Sequence, residues 1–380
     1  MKIAIPKERR ANEARVAASP DTVKKYVGMG FQVVVETGAG LGASITDDAF
    51  VAAGASIAAD EAQALADADI VIKVARPLTA EEGLDEVALM KSGSILISHL
   101  SALQNKDQVK TYADRGVTAF ALELLPRISR AQNMDILSSQ SNLAGYKSVL
   151  DAAAEYGRAF PMMMTAAGTV PPARVLVLGA GVAGLQAIAT AKRLGAVVYA
   201  FDVRPAVKEQ VESLGGKFVE VEAPTQDAET SGGYAKEMGE DYKRKQADKI
   251  AETLKKTDIA ISTALIPGKP APVLITEDMV KDMRQGSVIV DLAVEAGGNC
   301  PLSEFGKVVV KHGVTLVGHA NVPSRLAADA SLLFAKNILN FLTLSYDKDA
   351  KGVKINWDDE IIKGTALTKD GQVIHPALVG

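Results

Sequence analysis

The chain of 380 residues is long enough for two domains, and its content of 48% hydrophobic and 23% charged residues is typical of a soluble globular protein. A net charge of −4 disfavours nucleic acid and anionic lipid surfaces as partners. The one cysteine excludes an internal disulfide framework and indicates a reducing compartment. Prolines interrupt the longest apolar region, residues 162–189, so no membrane span is predicted and any membrane anchor would belong to another chain.

In the first half of the chain, strands alternate with helical patterns, which predicts a parallel sheet. Strands are predicted at residues 2–5, 32–36, 69–74, 94–97 and 117–121. The N-terminal residues are interpreted as the first of these strands and not as a signal peptide. Ser19 and Pro20 provide the cap and first turn of a helix over residues 21–30. The polar residues 124–140 predict a long loop, followed by a helix over residues 142–160 that bridges two domains.

The most specific motif begins the second half. Residues 175–178 predict a strand, GAGVAG follows at residues 179–184, and an apolar-periodic helix then extends to Leu194. A second strand over residues 197–201 ends in Asp202. This order of strand, glycine motif, helix, strand and acid within one βαβ unit predicts a dinucleotide site, the alternative being a glycine-rich turn without a ligand.

Each glycine of this motif has a physical role. Gly179 permits the tight turn, Gly181 lets the backbone approach a pyrophosphate at the helix N-terminus, and Gly184 allows close packing of helix against strand. The Asp202 carboxylate would accept hydrogen bonds from ribose hydroxyls and repel a 2′-phosphate, which favours NAD(H). Arg204 counts against this selectivity, because an arginine can bind a phosphate.

Further along, strands are predicted at residues 217–221, 259–263, 287–292 and 315–318, and a helix at 326–342 returns the chain to the first domain. Residues 222–243 form a polar connection that is too long for an ordinary βα loop. It contains Gly232, Gly233 and Tyr234, which predict either a mobile lid closed by the tyrosine or a disordered insertion.

Other polar groups are weaker candidates. The donors and acceptors of residues 126–140 suit either a nicotinamide site or a solvated linker. Glu295 follows a strand and could be a base or a solvated turn residue. No metal site is predicted, because the four histidines lack ligand spacing, and a nucleophilic role for Cys300 is disfavoured. The glycines at residues 38–42 have the wrong spacing for a nucleotide and predict a structural turn.

Taken together, these motifs resemble those of the soluble NAD(H)-binding component (α1 subunit, domain I) of proton-translocating nicotinamide nucleotide transhydrogenases. The resemblance covers nearly the whole chain. Its most specific parts are PRISRAQ-x-MD-x-LSSQ at residues 126–140, the run around the glycine motif at 168–196, ETSGGYAKEMGE at 229–240 and TALIPGKPAPVLIT at 263–276.

The resemblance implies roles for particular residues. It implies that the nicotinamide is positioned by Arg127, Gln132, Asp135 and Ser138, and it assigns no general acid or base. The remaining NAD(H) contacts are Ile128, Ser129, Gly179, Gly181, Val182, Ala183, Gly184, Asp202, Val203, Arg204, Gly233, Tyr234, Gln246 and Leu265, the last two peripheral.

Alanine dehydrogenases share the same fold, which leaves a second hypothesis. Arg15 and Lys73 stand where those enzymes bind the substrate carboxylate. However, Ser101 takes the place of their catalytic histidine and Glu295 that of their catalytic aspartate, although His99 lies two residues from Ser101. Oxidation of an amino acid requires a general acid–base, whereas hydride transfer between two nicotinamides requires only positioning. The chain therefore suits the second reaction better.

The predicted fold is α/β, with two Rossmann-like parallel-sheet domains separated by a cleft. The first domain comprises residues 1–138 and 322–380, and the second, residues 139–321, binds NAD(H) in the cleft. The resemblance implies a homodimer, an NADP(H)-binding partner subunit and a membrane-spanning proton-channel subunit, which would hold the chain on the cytoplasmic side of the inner membrane. The alternatives are a free-standing alanine dehydrogenase and a non-catalytic NAD(H) sensor.

Overall fold

The computed structural model describes residues 1–221, 239–266 and 269–379. The chain forms two compact units, one of Met1–Gln140 with Ser324–Gly380 and the other of Ser141–Pro323. Each unit is built on its own sheet of parallel strands with helices between them, which confirms the predicted fold class of two Rossmann-like α/β units.

The first unit contains six strands of one parallel sheet. Strands are β1 (Lys2–Ile5), β2 (Gln32–Glu36), β3 (Ser56–Ala58), β4 (Ile70–Ala75), β5 (Ile95–His99) and β6 (Thr118–Ala121). Helices are α1 (Pro20–Gly28), α2 (Asp47–Ala52), α3 (Glu61–Leu65), α4 (Glu86–Leu89) and α5 (Lys106–Asp114), and α6 (Ile136–Glu155) continues into the second unit. The sheet order is β3-β2-β1-β4-β5-β6, so successive strands are added to one side of β1 up to β3 and to its other side from β4 onwards. Folds of this kind bind their ligands at this switch point, at the carboxyl ends of the strands.

The second unit is built on a seven-stranded sheet, in which one edge strand is antiparallel and the other described strands are parallel. Strands are β7 (Met163–Thr165), β8 (Gly168–Val170), β9 (Arg174–Leu178), β10 (Val197–Phe201), β11 (Lys217–Phe218), β12 (Ile259–Ser262), β13 (Val288–Asp291), β14 (Lys307–Lys311) and β15 (Val314–Gly318). Helices are α7 (Val182–Arg193), α8 (Lys208–Ser213), α9 (Glu240–Leu254) and α10 (Glu277–Lys281). The sheet order is β11-β10-β9-β12-β13-β15-β14, and β7 and β8 form a separate hairpin.

The C-terminal segment completes the first unit. It contains α11 (Ala327–Thr343), β16 (Tyr346–Asp347), β17 (Gly352–Val353), α12 (Glu360–Thr365), β18 (Thr368–Lys369), β19 (Gln372–Val373) and α13 (Pro376–Val379). Phe334 and Phe341 of α11 enter the core of the first unit, and the Thr368 hydroxyl accepts a hydrogen bond of 2.9 Å from the amide of Ala119. Burial of these apolar side chains ties the end of the chain to its beginning.

Burial, capping and close approach of the backbone explain why these residues form strands, helices and turns. Central strands such as β4 and β9 are covered on both faces, so their buried residues are apolar, apart from Lys73 of β4. Helix α1 begins where Ser19 accepts a hydrogen bond from the amide of Thr22, and Val23 and Tyr26 bury its inner face. The glycines at residues 38–42 form a tight structural turn, in which a side chain on Gly40 would lie 2.6 Å from the carbonyl oxygen of Ile45.

Several predicted boundaries were wrong. Most of the predicted loop at residues 124–140 is helical, because Ser129–Met134 is a 3-10 helix and α6 begins at Ile136. Helix α6 also ends at Glu155, five residues before the predicted end, and the strand predicted at 217–221 is only two residues long. The sequence pattern missed β3, β14 and the β7–β8 hairpin, which are short or lie at sheet edges.

A helix that crosses a bilayer must be both long and apolar. Among residues 1–221, 239–266 and 269–379, no helix combines these two properties.

Candidate functional site

The βαβ unit formed by β9, α7 and β10 has the geometry that its glycines predict. Gly179 adopts φ +95°, a left-handed conformation, and its amide donates a hydrogen bond of 2.8 Å to the carbonyl oxygen of Phe201. The Thr263 hydroxyl donates to the carbonyl oxygen of Gly179 at 3.0 Å. These contacts fix the turn at the carboxyl ends of β9, β10 and β12, which pair in register as parallel neighbours.

Gly184 and Gly181 differ in what surrounds them. A Cβ atom on Gly184 would lie 1.8 Å from the carbonyl oxygen of Gly179, so the helix packs too closely here for any side chain. A Cβ atom on Gly181 would meet no chain atom within 4 Å. Gly181 also caps α7 without a side-chain hydrogen bond, which leaves the first amides of the helix suited to an anion. The residues present therefore fit a dinucleotide pyrophosphate.

Asp202 lies at the end of β10 and is almost fully buried. Its Oδ2 accepts hydrogen bonds from the amide of Ala180 at 2.7 Å and from Nη2 of Arg204 at 2.9 Å. Its Oδ1 accepts from the amide and from Nε of Arg204 at 2.8 and 2.9 Å. The carboxylate thus joins the glycine turn to Arg204, whose charge it neutralises.

Hydrogen bonds made by two residues that the sequence reasoning missed, Asn299 and Asp291, stabilise the loop after β12. Asn299 is fully buried, and its side-chain amide donates to the carbonyl oxygens of Ala264 and Pro272 at 2.9 and 2.8 Å. Asp291 in turn accepts hydrogen bonds from the amides of Asn299 and Cys300 at 3.2 and 3.0 Å. Asp291 is the last residue of β13 and Asn299 follows the Gly297-Gly298 pair, which is the only sequence signal that could have identified them.

The other predicted contacts of the second unit differ in exposure. Leu265 and Val182 are large apolar residues left 48% and 39% exposed. Ala183, Val203 and Gln246 are half-buried. Gly232, Gly233 and Tyr234 of the predicted lid lie outside the described residues, together with the rest of 222–238.

The predicted nicotinamide residues are in the first unit, on the 3-10 helix and the start of α6. Arg127, Ser129 and Gln132 are exposed, and Ile128 is half-buried. The Asp135 carboxylate accepts a hydrogen bond of 2.9 Å from the Ser138 amide and another from its hydroxyl. Asp135 and Ser138 therefore also act as the N-terminal cap of α6, a structural role that the sequence analysis did not anticipate.

The residues predicted to stand at alanine dehydrogenase positions are distributed over both units. The Arg15 guanidinium contacts Glu13 at 2.6 Å and donates to the Gln140 side chain at 2.9 Å. Ser101 adopts φ +47° two residues after the end of β5. In the second unit Glu295 is exposed, and its carboxylate accepts a hydrogen bond of 2.5 Å from the amide of Asn321.

Lys73 belongs to a buried cluster of charges near the switch in strand order of the first unit. Its ammonium lies 3.4 Å from Glu8 and 3.1 Å from Glu86. Burial lowers the pKa of Lys73, but attraction to these carboxylates outweighs it and raises the pKa overall. Glu61 is buried beside Arg9, at 3.1 Å, and burial together with the neighbouring Glu86 raises the pKa of Glu61 to about 8. The cluster therefore holds a proton near neutral pH.

Across the described ranges, with their gaps at 222–238 and 267–268, no three His, Cys, Asp or Glu side chains are grouped to hold a metal ion. Cys300 is buried, and this burial raises the pKa of its thiol above the ordinary value.

Two family models match the chain, the N-terminal domain of alanine dehydrogenase/PNT over residues 4–144 and its C-terminal domain over residues 148–376. The chain belongs to this family. A protein of Rhodospirillum rubrum, named as the first part of NAD(P) transhydrogenase subunit alpha, is 69% identical over 381 residues, covering 100% of this chain and 99% of that protein. The resemblance predicted from the motifs is thereby confirmed.

Solved structures and more distant relatives agree. The crystal structure of a transhydrogenase from Sinorhizobium meliloti superposes with a TM-score of 0.85 at 49% identity, covering 99% of this chain and all of that chain. An alanine dehydrogenase of Methanococcus maripaludis is 31% identical over 100% of this chain and 95% of its own length. The chain is thus similar to both kinds of protein, with higher identity to these proteins named as transhydrogenases than to this alanine dehydrogenase.

Proposed function

We propose that the chain is the NAD(H)-binding component of a proton-translocating transhydrogenase. It would hold NADH while hydride passes directly to NADP⁺ on a partner subunit. The observation that carries the proposal is the open Gly181 turn at the N-terminus of α7, with the Asp202 carboxylate beside it. End-to-end similarity to proteins named as transhydrogenase α subunits supports the assignment.

In the second unit the chain would bind the adenosine half of NAD(H). The free amides at the start of α7 would hold the pyrophosphate, and the absence of a side chain at Gly181 leaves room for it. Asp202 would accept hydrogen bonds from the ribose. Ala183, Val203, Arg204, Gln246 and Leu265 would complete the contacts.

In the first unit Arg127, Gln132, Asp135 and Ser138 would orient the nicotinamide ring. NADH supplies the hydride, so the protein contributes orientation and exclusion of water and donates no proton. Exposure of Arg127 and Gln132 supports this role, because both side chains can reach a ligand. Asp135 and Ser138 are fixed by their mutual hydrogen bonds, which suits residues that set a geometry.

Amino-acid oxidation is the competing chemistry, and it requires a residue that removes a proton. At the positions where alanine dehydrogenases carry their catalytic histidine and aspartate, this chain has Ser101 and the exposed Glu295. A serine hydroxyl is a poor base at neutral pH. These departures favour transhydrogenation over an alanine dehydrogenase activity.

The partners follow from the proposed reaction. A separate subunit would bind NADP(H), and a membrane-spanning subunit would couple hydride transfer to proton movement and hold this chain at the cytoplasmic face of the membrane. Two copies of the chain would form a homodimer. The similarity to relatives named as α subunits supports the existence of partner subunits.

The proposal is tested with purified chain and three assays. The emission of Trp357, the only tryptophan, provides a clean signal for titration with NADH. We expect NADH to bind, alanine to give no reduction of NAD⁺, and an NADP⁺ analogue to be reduced only when the NADP(H)-binding partner is added. Alanine turnover by the isolated chain would instead identify an alanine dehydrogenase, and binding without transfer under any pairing would identify a sensor.

A further inference from the structure

The 3-10 helix Ser129–Met134 carries Gln132, yet it has little stability of its own. Short 3-10 helices have poor hydrogen-bond geometry, and this one has no side-chain cap at Ile128. Within the described ranges of the chain the exposed side chain of Gln132 makes no hydrogen bond. Something outside the helix must therefore fix its position.

Helix α11 holds the end of the 3-10 helix. Asn337 and Asn340 lie one turn apart on α11, and the side-chain amides of both donate to the carbonyl oxygen of Asn133, each at 2.9 Å. Asn337 uses its remaining polar atom as well, because its Oδ1 accepts a hydrogen bond of 2.8 Å from the Ser139 hydroxyl on α6. One asparagine thus connects both sides of the bend between the 3-10 helix and α6.

The start of α12 holds the 3-10 helix on the N-terminal side of Gln132. The Arg130 guanidinium donates through both terminal nitrogens to the two carboxylate oxygens of Asp359, each at 2.8 Å. Asp359 is itself fixed, because it caps α12 by accepting a hydrogen bond of 2.8 Å from the amide of Ile361. A bidentate pair of this kind defines direction as well as distance.

We propose that Asn337, Asn340 and Asp359 are positioning residues, which fix Gln132 for hydride transfer from two sides without contacting the nucleotide. The inference rests on the proposed function. Gln132 lies between Arg130 and Asn133, so the two attachments leave its backbone little freedom. Hydride transfer depends steeply on distance, and a displacement of about 1 Å can cost on the order of a hundredfold in rate.

Two variants each weaken one attachment, and each has a matched control. Asn340→Leu keeps the volume but removes one of the two side-chain donors to the Asn133 carbonyl oxygen, while Lys336→Ala changes an exposed residue of the same helix. Asp359→Asn weakens the ion pair but can still cap α12, since asparagine is a good cap. Glu360→Gln is its control, because Glu360 lies 3.4 Å from Arg130 as a peripheral contact.

Three readouts are made on the full chain, with the NADP(H)-binding partner added for the last. Hydrogen–deuterium exchange of peptides covering residues 128–135 should accelerate about tenfold in Asn340→Leu and Asp359→Asn and not in the controls. The NADH dissociation constant, from Trp357 emission, should change less than about twofold. Hydride transfer at saturating nucleotide should slow about tenfold.

The outcomes separate the possibilities. Wild-type exchange in both variants would show that the contacts do not fix the segment, and a wild-type transfer rate despite faster exchange would show that its position is irrelevant to the reaction. A loss of NADH affinity as large as the loss in rate would indicate a binding role. Each result overturns the proposal. If the wild-type chain itself transfers no hydride to the partner's nucleotide, it is the proposed function that fails.

Discussion

The Arg204 guanidinium pairs with the Asp202 carboxylate through Nε and Nη2, each 2.9 Å from a carboxylate oxygen. The amides of Ala180 and Arg204 provide two more hydrogen bonds, so the roughly four acceptor sites of the carboxylate are all used. A ribose hydroxyl could donate to Asp202 only by displacing one of these donors, of which only the Arg204 guanidinium belongs to a side chain. The pair therefore sets the charge that an adenosine ribose would meet.

Asp202→Asn should change nucleotide selectivity. The variant loses the negative charge that would repel a 2′-phosphate and releases the positive charge of Arg204. We expect NADH affinity to fall about tenfold and NADPH affinity to rise, since each such charge-assisted contact contributes about 1.5–3 kcal/mol. Titration of both nucleotides against Trp357 emission measures the ratio, and an unchanged ratio would contradict this role of Asp202.

Arg204→Ala should act in the opposite direction. Without the guanidinium, Asp202 keeps an unneutralised charge and two open acceptor sites. The ratio of NADH to NADPH affinity should therefore increase, by about fivefold or more. The same titration measures it, and a shift towards NADPH would mean that Arg204 does not neutralise Asp202 in the bound state.

Two glycines of one motif should respond differently to alanine. Gly181→Ala should lower the stability by less than about 1 kcal/mol, because the new methyl group meets no chain atom, but it should weaken NADH binding at least about tenfold by occupying ligand space. Gly184→Ala should destabilise the fold by about 3 kcal/mol, because its methyl group overlaps the carbonyl oxygen of Gly179. Urea unfolding and NADH titration distinguish the two, and equal effects on stability would contradict the assignment.

Gln132→Asn should slow hydride transfer about tenfold while NADH affinity stays within about twofold. The shorter side chain keeps the amide but moves it by one methylene from an exposed position. Single-turnover kinetics with the partner subunit give the rate, and equilibrium titration gives the affinity. A loss of affinity of similar size would make Gln132 a binding residue and not a positioning one.

The stability of the first unit should depend on the protonation of Glu61. Burial raises its pKa from 4.5 to about 8, so the folded state binds a proton that the unfolded state has released in this range. Stability should therefore fall as the pH rises from about 4.5 to about 8. Glu61→Gln should remove part of this fall, so that between pH 6 and pH 9 its Tm drops by about 3 °C less than that of the wild type. Parallel Tm curves, from calorimetry, would contradict the prediction.

Much of the fold could be predicted because local signals determine it. The strand over residues 197–201 and the helix after the glycine motif follow from apolar periodicity and from glycines whose geometry has no substitute. The start of α6 was missed, because its polar residues 138–141 resemble a loop and only the Asp135–Ser138 contact marks it as a helix. Edge strand β14 was also missed, and none of its five residues is buried.

Long-range contacts were beyond the reach of the sequence alone. The hydrogen bonds from Asn337 and Asn340 to Asn133 join residues more than 200 positions apart, and no periodicity relates them. The burial of Lys73 between Glu8 and Glu86 likewise depends on how three separate segments meet. The local pattern could indicate the candidate site, whereas the residues that support it depend on tertiary packing.

The most direct test of the central claim follows one atom. NADH carrying deuterium at the transferred position is mixed with the chain and with the partner subunit loaded with NADP⁺, and the products are analysed by mass spectrometry. Direct transfer predicts that the deuterium appears in NADPH, with none exchanged into water, and that alanine has no effect. Deuterium lost to solvent, or NADPH formed without it, would contradict direct hydride transfer between the two nucleotides.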